Sequence, residues 1–230
     1  SDLEADRQHP TKRYRPLAAE ELPVGLAQGA VVGLLGIIIP LSIWLSPAFA
    51  AIGLTYFALN ILYSRYLKHI PILDVLVLAS FYVIRVSAGV VLITVSTFSP
   101  WLYVFTTFLA LFLGVGKRRA ELNLLAEGAN SHRKVLAGYT LPLLDQLISI
   151  VSTLTIATYS LYTFSASNLP SNHGMMLTIP FVMYGIFRYL YLVEVEHSGG
   201  APEEVLLTDR PMQITLVLWG LVILLIFYLF

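Results

Sequence analysis

Residues 100–122 read PWLYVFTTFLALFLGVGKRRAEL: an uncharged run, then three consecutive cations and, two residues on, a glutamate. Crossing the hydrocarbon core takes about 20 mostly apolar residues in a helix, because no water is present there to satisfy the backbone. The cations mark the point at which the chain reaches headgroups and water. The pattern continues outward in both directions: comparable stretches lie near 23–45, 47–64, 72–95, 141–165, 175–193 and 212–230, making seven with 100–116. Breakers fall between them at Ser46-Pro47, Ile70-Pro71, Ser99-Pro100 and Asn168-Leu169-Pro170. Charged residues make up only 12% of the chain, against about a quarter in a soluble domain, and mean hydropathy is +0.76. The sequence therefore predicts an all-α, polytopic transmembrane helix bundle forming one domain over residues 1–230.

Assigning every Lys and Arg to a connection gives the bundle its polarity. Thirteen of the fourteen fall on alternate connections, hence on one side: a segment over 1–22, a basic loop over 117–140, a loop over 194–211 flanked by Arg188 and Arg210, and Arg65 and Lys68 between the second and third spans. Arg85, inside the third span, is the exception. The positive-inside rule makes that side cytoplasmic and the protein an integral plasma (inner) membrane protein. All fourteen acids gather on the same side. Topology alone does not require this, because acids contribute little to orientation.

Several function classes drop out. A net charge of zero gives no argument for nucleic acid as a partner, and the absence of cysteine excludes disulfides, thiolate metal sites and a cysteine nucleophile. Asn60 and Arg85 are the costly polar residues at membrane depth, expected to face the bundle interior, with Asp74 or a helix carbonyl as the partner of Arg85. Two such residues are few for a proton relay or ion pathway, so a transporter or lipid flippase is a rival reading with little in its favour. Gly25, Gly29 and Gly33, spaced by four, read as a helix-packing face.

The first charged segment holds Asp2 and Asp6, four residues apart and so on one face of a helix end. Such a pair can bind Mg2+, which keeps several waters and is typically shared between one or two carboxylates and substrate phosphates. Arg7, Lys12, Arg13 and Arg15 follow as donors to phosphate oxygens. The same residues also suit a solvated polar cap with positive-inside cations, and spacing alone does not choose between the two.

The string Asp-x-Glu-Ala-Asp-Arg-x-His-Pro-x-Lys-x-x-Arg-Pro-x-Ala, from Asp2 to Ala18, resembles the first aspartate-rich motif of the UbiA superfamily of intramembrane prenyltransferases, N-D-x-x-D-x-x-x-D. Asp2 and Asp6 match its second and third Asp. The resemblance implies a UbiA-like bundle with seven of an expected nine helices present, the chain being truncated at its N-terminus, and a diphosphate donor bound through Mg2+. In most of the superfamily the loop after the fourth span here bears a second Asp-rich motif. This chain instead has Lys117, Arg118 and Arg119 with Glu121, then Glu127, His132, Arg133, Lys134 and Tyr139.

That departure, with Gly199-Gly200-Ala201-Pro202-Glu203-Glu204 and Asp209-Arg210-Pro211 in the last charged loop, is similar to the branch that transfers phosphoribose to a polyprenyl (decaprenyl) phosphate for cell-wall arabinan precursors. The resemblance implies phosphoribosyl diphosphate as donor, a polyprenyl phosphate lipid as acceptor and diphosphate as leaving group. It gives Asp2 and Asp6 the metal, Lys117 and Glu121 a catalytic part with them, and Arg7, Lys12, Arg13, Arg15, Arg118, Arg119 and Tyr139 contact with substrate. An aromatic or haem prenyltransferase of the same superfamily, using a prenyl diphosphate, is the nearer alternative. Homo-oligomerisation is left open.

Overall fold

The computed structural model describes residues 3, 7, 12–93, 99–126, 134–167, 169–196 and 202–229. Among them, seven helices are long and apolar enough to cross a membrane. In chain order the helices are α1 (Val24–Leu45), α2 (Pro47–Arg65), α3 (Leu73–Leu92), α4 (Pro100–Ala126), α5 (Leu141–Ser165), α6 (Ile179–Glu194), the short α7 (Pro202–Thr208) and α8 (Arg210–Leu229). The ends have local causes. Ser46 accepts a hydrogen bond from the Phe49 N–H at 3.3 Å, with Pro47 opening α2. Thr140 caps α5 by accepting from the Leu143 N–H at 3.4 Å. Asp209 accepts from the Met212 N–H at 2.8 Å at the start of α8. In each case a side-chain oxygen takes up an N–H that the first turn leaves without a partner.

The chain divides into two compact units. One comprises residues 1–67 and 87–94; in it α1 packs on α2, and α1 buries no residue. The other comprises residues 68–86 and 95–230, where α5 lies along α4, α6 packs on α8, and α4 and α5 both touch α6. The core of this second unit is built from Phe112 and Val115 of α4, Leu144, Ile148 and Val151 of α5, and Ile186, Tyr189 and Val193 of α6, with Val75 of α3 beside them. A polar tie at membrane depth joins α5 to α8: the Trp219 indole donates to the Tyr159 hydroxyl at 2.8 Å, and that hydroxyl pairs with Thr178 at 2.6 Å. Interhelical hydrogen bonds of this kind hold helices together where the hydrophobic effect cannot. Trp44, Ile37 and Leu224 are 81%, 67% and 67% exposed. Surface of that character suits lipid, not water.

The spans agree with the hydropathy reading, with two differences in the charged connections. First, α4 does not stop at Gly116 but runs through Lys117, Arg118 and Arg119 to Ala126, so the first part of the 117–140 segment is helix. No breaker follows Gly116, and Ala, Glu and Leu are good helix formers; leaving the hydrocarbon ends a span without ending a helix. Second, the 194–211 segment contains α7. Asn60 and Arg85 depart from the expected inward orientation: both side chains are exposed, and the Arg85 guanidinium lies 5.4 Å from the Tyr82 ring centroid. Asp74 stands eleven residues from Arg85 on the same helix, roughly 16 Å along its axis, too far for an ion pair.

Gly116 marks the closest approach of α4 to α6. A Cβ there would sit 2.8 Å from Cε1 of Tyr189, a side chain that is itself buried. Gly116→Ala is therefore expected to destabilise the fold by about 1–3 kcal/mol through overpacking, read as a lowered midpoint of thermal unfolding in detergent.

Candidate active site

Three arginines organise the charged rim of the second unit. Arg118 is 2% exposed and Asp74 wholly buried. A guanidinium cannot be taken out of water unless its charge is met. Arg118 Nε donates to Asp74 Oδ2 at 2.6 Å, and its Nη1 donates to Glu121 Oε2 at 2.9 Å. Tyr139 completes this cluster: its hydroxyl donates to Asp74 Oδ1 at 2.6 Å and accepts from the Ile72 N–H at 2.6 Å. Burial, and next the bond to Asp74, push the Tyr139 phenol well above its usual range, so it stays protonated as a donor.

Arg119 turns the other way on α4. Its Nε donates to Asp145 of α5 at 2.6 Å, and its Nη2 to Glu194 at the end of α6. Arg188 of α6 holds Asp209, at 2.6 Å from Nη2, and Glu196 at 3.3 Å. The hydrogen bond from Arg188 is the main reason that the Asp209 carboxyl lies below its usual range; burial opposes it and the Met212 N–H assists. These pairs fasten the ends of α3, α4, α5, α6 and α8 into one rim.

Of the residues singled out in sequence, Lys117 and Glu121 lie one turn apart on α4, where helix geometry puts them on one face. Both are partly exposed. Arg118 and Arg119, expected to contact substrate, hold carboxylates in the structure, because burial demands partners of opposite charge. Tyr139, expected to meet substrate or the interface, is 5% exposed and braces Asp74. Arg7, Arg13 and Arg15 are exposed on the first unit; Arg7 pairs with Glu20 at 2.9 Å and Arg13 lies 4.8 Å from the Tyr14 ring centroid. Lys12 opens a short 3-10 turn, Lys12–Tyr14. Asp2 and Asp6 lie outside the described residues, as do Glu127, His132 and Arg133.

Among the described residues no cluster of three carboxylate or imidazole side chains is arranged to hold a metal. Around the three arginines stand six carboxylates, from Asp74, Glu121, Asp145, Glu194, Glu196 and Asp209, each paired with a guanidinium. Carboxylate oxygen is the donor type a hard cation takes, and Glu121, with 23% of its side chain exposed, is the carboxylate nearest Lys117 in sequence. Asp74 went unassigned in sequence except as a partner for Arg85. Its signal was a carboxylate at the start of an apolar span, a position too costly to keep without a buried cation.

Among the described residues, long apolar helices with a rim of paired charges define the class: a polytopic integral membrane protein whose second unit gathers its ion pairs near helix ends. Residues 1–202 match the UbiA prenyltransferase family. The chain is 35% identical to the decaprenyl-phosphate phosphoribosyltransferase of Corynebacterium glutamicum, over 99% of this chain and 69% of that protein. It is also 35% identical to the protein of that name from Mycobacterium tuberculosis, over 95% of this chain and 71% of the relative. The corresponding figures for Mycolicibacterium smegmatis are 33%, 95% and 70%. The chain belongs to the UbiA prenyltransferase family.

The Arg188–Asp209 pair gives a pH dependence whose sign is fixed. A carboxyl depressed in the folded state stabilises it above the unfolded value of about 3.9, and that contribution is lost as pH falls through the lower folded value. Asp209→Asn should lower the unfolding midpoint by a constant amount between about pH 5 and 8, and the gap from wild type should close in more acid solution.

Proposed function

We propose that this chain transfers the 5-phosphoribosyl group from phosphoribosyl diphosphate to decaprenyl phosphate, releasing diphosphate, with Mg2+ as cofactor and the cytoplasmic rim as the site. The observation that carries the reading is the match, along nearly the whole chain, to relatives named for that transfer. The replacement of a second Asp-rich motif by Lys117, Arg118, Arg119 and Glu121 supports it, since that departure resembles the phosphoribosyl-transferring branch and not the prenyl diphosphate-using ones.

The chemistry needs little from the protein beyond placement and charge. An acceptor phosphate oxygen forms the new bond to ribose C1 as the bond from C1 to the diphosphate oxygen breaks, and the electron pair leaves with diphosphate. The acceptor phosphate is already anionic near neutral pH, so no strong general base is required. Stabilising charge as it develops on the leaving group is the main task, and fixed cations perform it best where water is limited. Asp2 and Asp6 would hold Mg2+, which would neutralise the diphosphate, and Glu121 would be a further catalytic carboxylate. Lys117 faces the phosphates from α4. Arg7, Lys12, Arg13 and Arg15 supply further phosphate contacts. Arg118 and Arg119 act through the carboxylates they hold, and Tyr139 through Asp74. The decaprenyl tail stays in hydrocarbon while its phosphate meets the soluble donor at the rim.

Purified full-length protein should make polyprenyl-phosphoryl-phosphoribose from labelled phosphoribosyl diphosphate and polyprenyl phosphate, and should not join a prenyl diphosphate to an aromatic acid. The reverse result restores the prenyltransferase alternative. In the same assay Asp2→Asn, Asp6→Asn and Lys117→Gln are each expected to lower kcat/KM by about 100-fold or more. Their unfolding midpoints should stay near that of wild type; unchanged turnover removes the assignment.

A further inference from the structure

We infer that Asp74 is a positioning residue for this transfer: acting through Arg118, it sets the orientation of Glu121 at the rim. The inference rests on the functional reading above and adds to it a residue that no motif contains.

Two separate costs meet at this point of the fold. The Asp74–Arg118 pair is desolvated on both sides, with 0% and 2% of the side chains exposed, and a buried ion pair is often no more stabilising than apolar residues of the same volume. Beside it, Ile72 has φ 69°, a left-handed conformation that is a genuine outlier for a β-branched residue. The Tyr139 hydroxyl, bound at once to Ile72 N–H and Asp74 Oδ1, holds that conformation in place. Gly138 adds to the arrangement, since a Cβ there would collide with the Pro71 ring. The corner before α3 is thus pressed against the segment before α5, and both Asp74 oxygens have fixed donors.

The outlet of this cluster is Glu121. Arg118 spends one edge of its planar fork on Asp74 and the Nη1 on Glu121, so neither carboxylate can turn without breaking a charged hydrogen bond. Removing the Asp74 carboxylate takes away one of the two carboxylates that Arg118 holds and turns its fork to Glu121.

Two measurements on the full-length protein test this. In a double-mutant cycle, Asp74→Asn and Glu121→Gln should each lower kcat/KM for phosphoribosyl diphosphate by about tenfold, while the double variant is little worse than either alone. Losses that multiply would show that Asp74 acts on stability and not through Glu121, and overturn the inference. Should Asp74→Asn not accumulate in membranes, Arg118→Lys takes its place, since an ammonium keeps the charge without the fork and should show the same non-additivity. The second measurement needs no turnover. The chain has no cysteine, so Glu121→Cys introduces a single thiol whose maleimide labelling near neutral pH reports its thiolate fraction. Adding Asp74→Asn should speed labelling several-fold, because the released Arg118 charge stabilises the thiolate, and Asp74→Glu should restore the slow rate. An unchanged rate overturns the inference. A wild-type protein that fails to turn over these substrates overturns the functional reading instead, with the labelling rates still deciding the role of Asp74.

Discussion

A guanidinium removed from water must be met by negative charge, and Arg118 is removed from water almost completely. Its Born cost is far larger than any single hydrogen bond returns, and two carboxylates with a phenol behind one of them help to meet it. The consequence is geometric. Asp74 has to lie where α3 begins, Tyr139 where α5 is about to begin, and α4 has to stay helical past the end of its span so that Arg118 and Glu121 share a face. One buried cation therefore fixes the relative height of three helices at the rim.

The same requirement answers why the acids collect beside the bases, which topology leaves unexplained. In the second unit each of Arg118, Arg119 and Arg188 binds two carboxylates, drawn mostly from other helices. Exposed ion pairs contribute little. These are partly or wholly buried and use the arginine fork on two partners, which exchanges some stability for a defined arrangement. Below the rim the work passes to close packing, as where Gly116 admits the Tyr189 ring, and to the Tyr159–Thr178–Trp219 tie.

How much of this was legible in the sequence follows from the range of each interaction. Hydropathy acts over a contiguous window, so the seven spans and their Pro-marked breaks could be read directly. Helix continuation past Gly116 is also local, yet it was hidden because the end of a hydrophobic run and the end of a helix are different events. The pairing of Asp74 with Arg118, 44 residues apart, was out of reach. Only the need for some partner showed, and the nearer cation on the same helix, Arg85, attracted the assignment. Lys117 and Glu121 share a face because α4 runs on through them, and the buried fates of Arg118, Arg119 and Tyr139 depend on neighbours that no local pattern names.

The arithmetic of charge at the rim bears on what can bind there. Six carboxylates around three guanidinium groups leave the network net negative. A phosphorylated sugar diphosphate and a lipid phosphate are both anions, and such a frame alone would repel them. Transfer between them therefore asks for positive charge beyond the three guanidinium groups that these carboxylates hold. Carboxylate oxygen is the donor type that a divalent cation shares with a phosphate, and on the proposed reading the Asp74–Arg118–Glu121 chain of bonds holds the carboxylate at the mouth in one orientation.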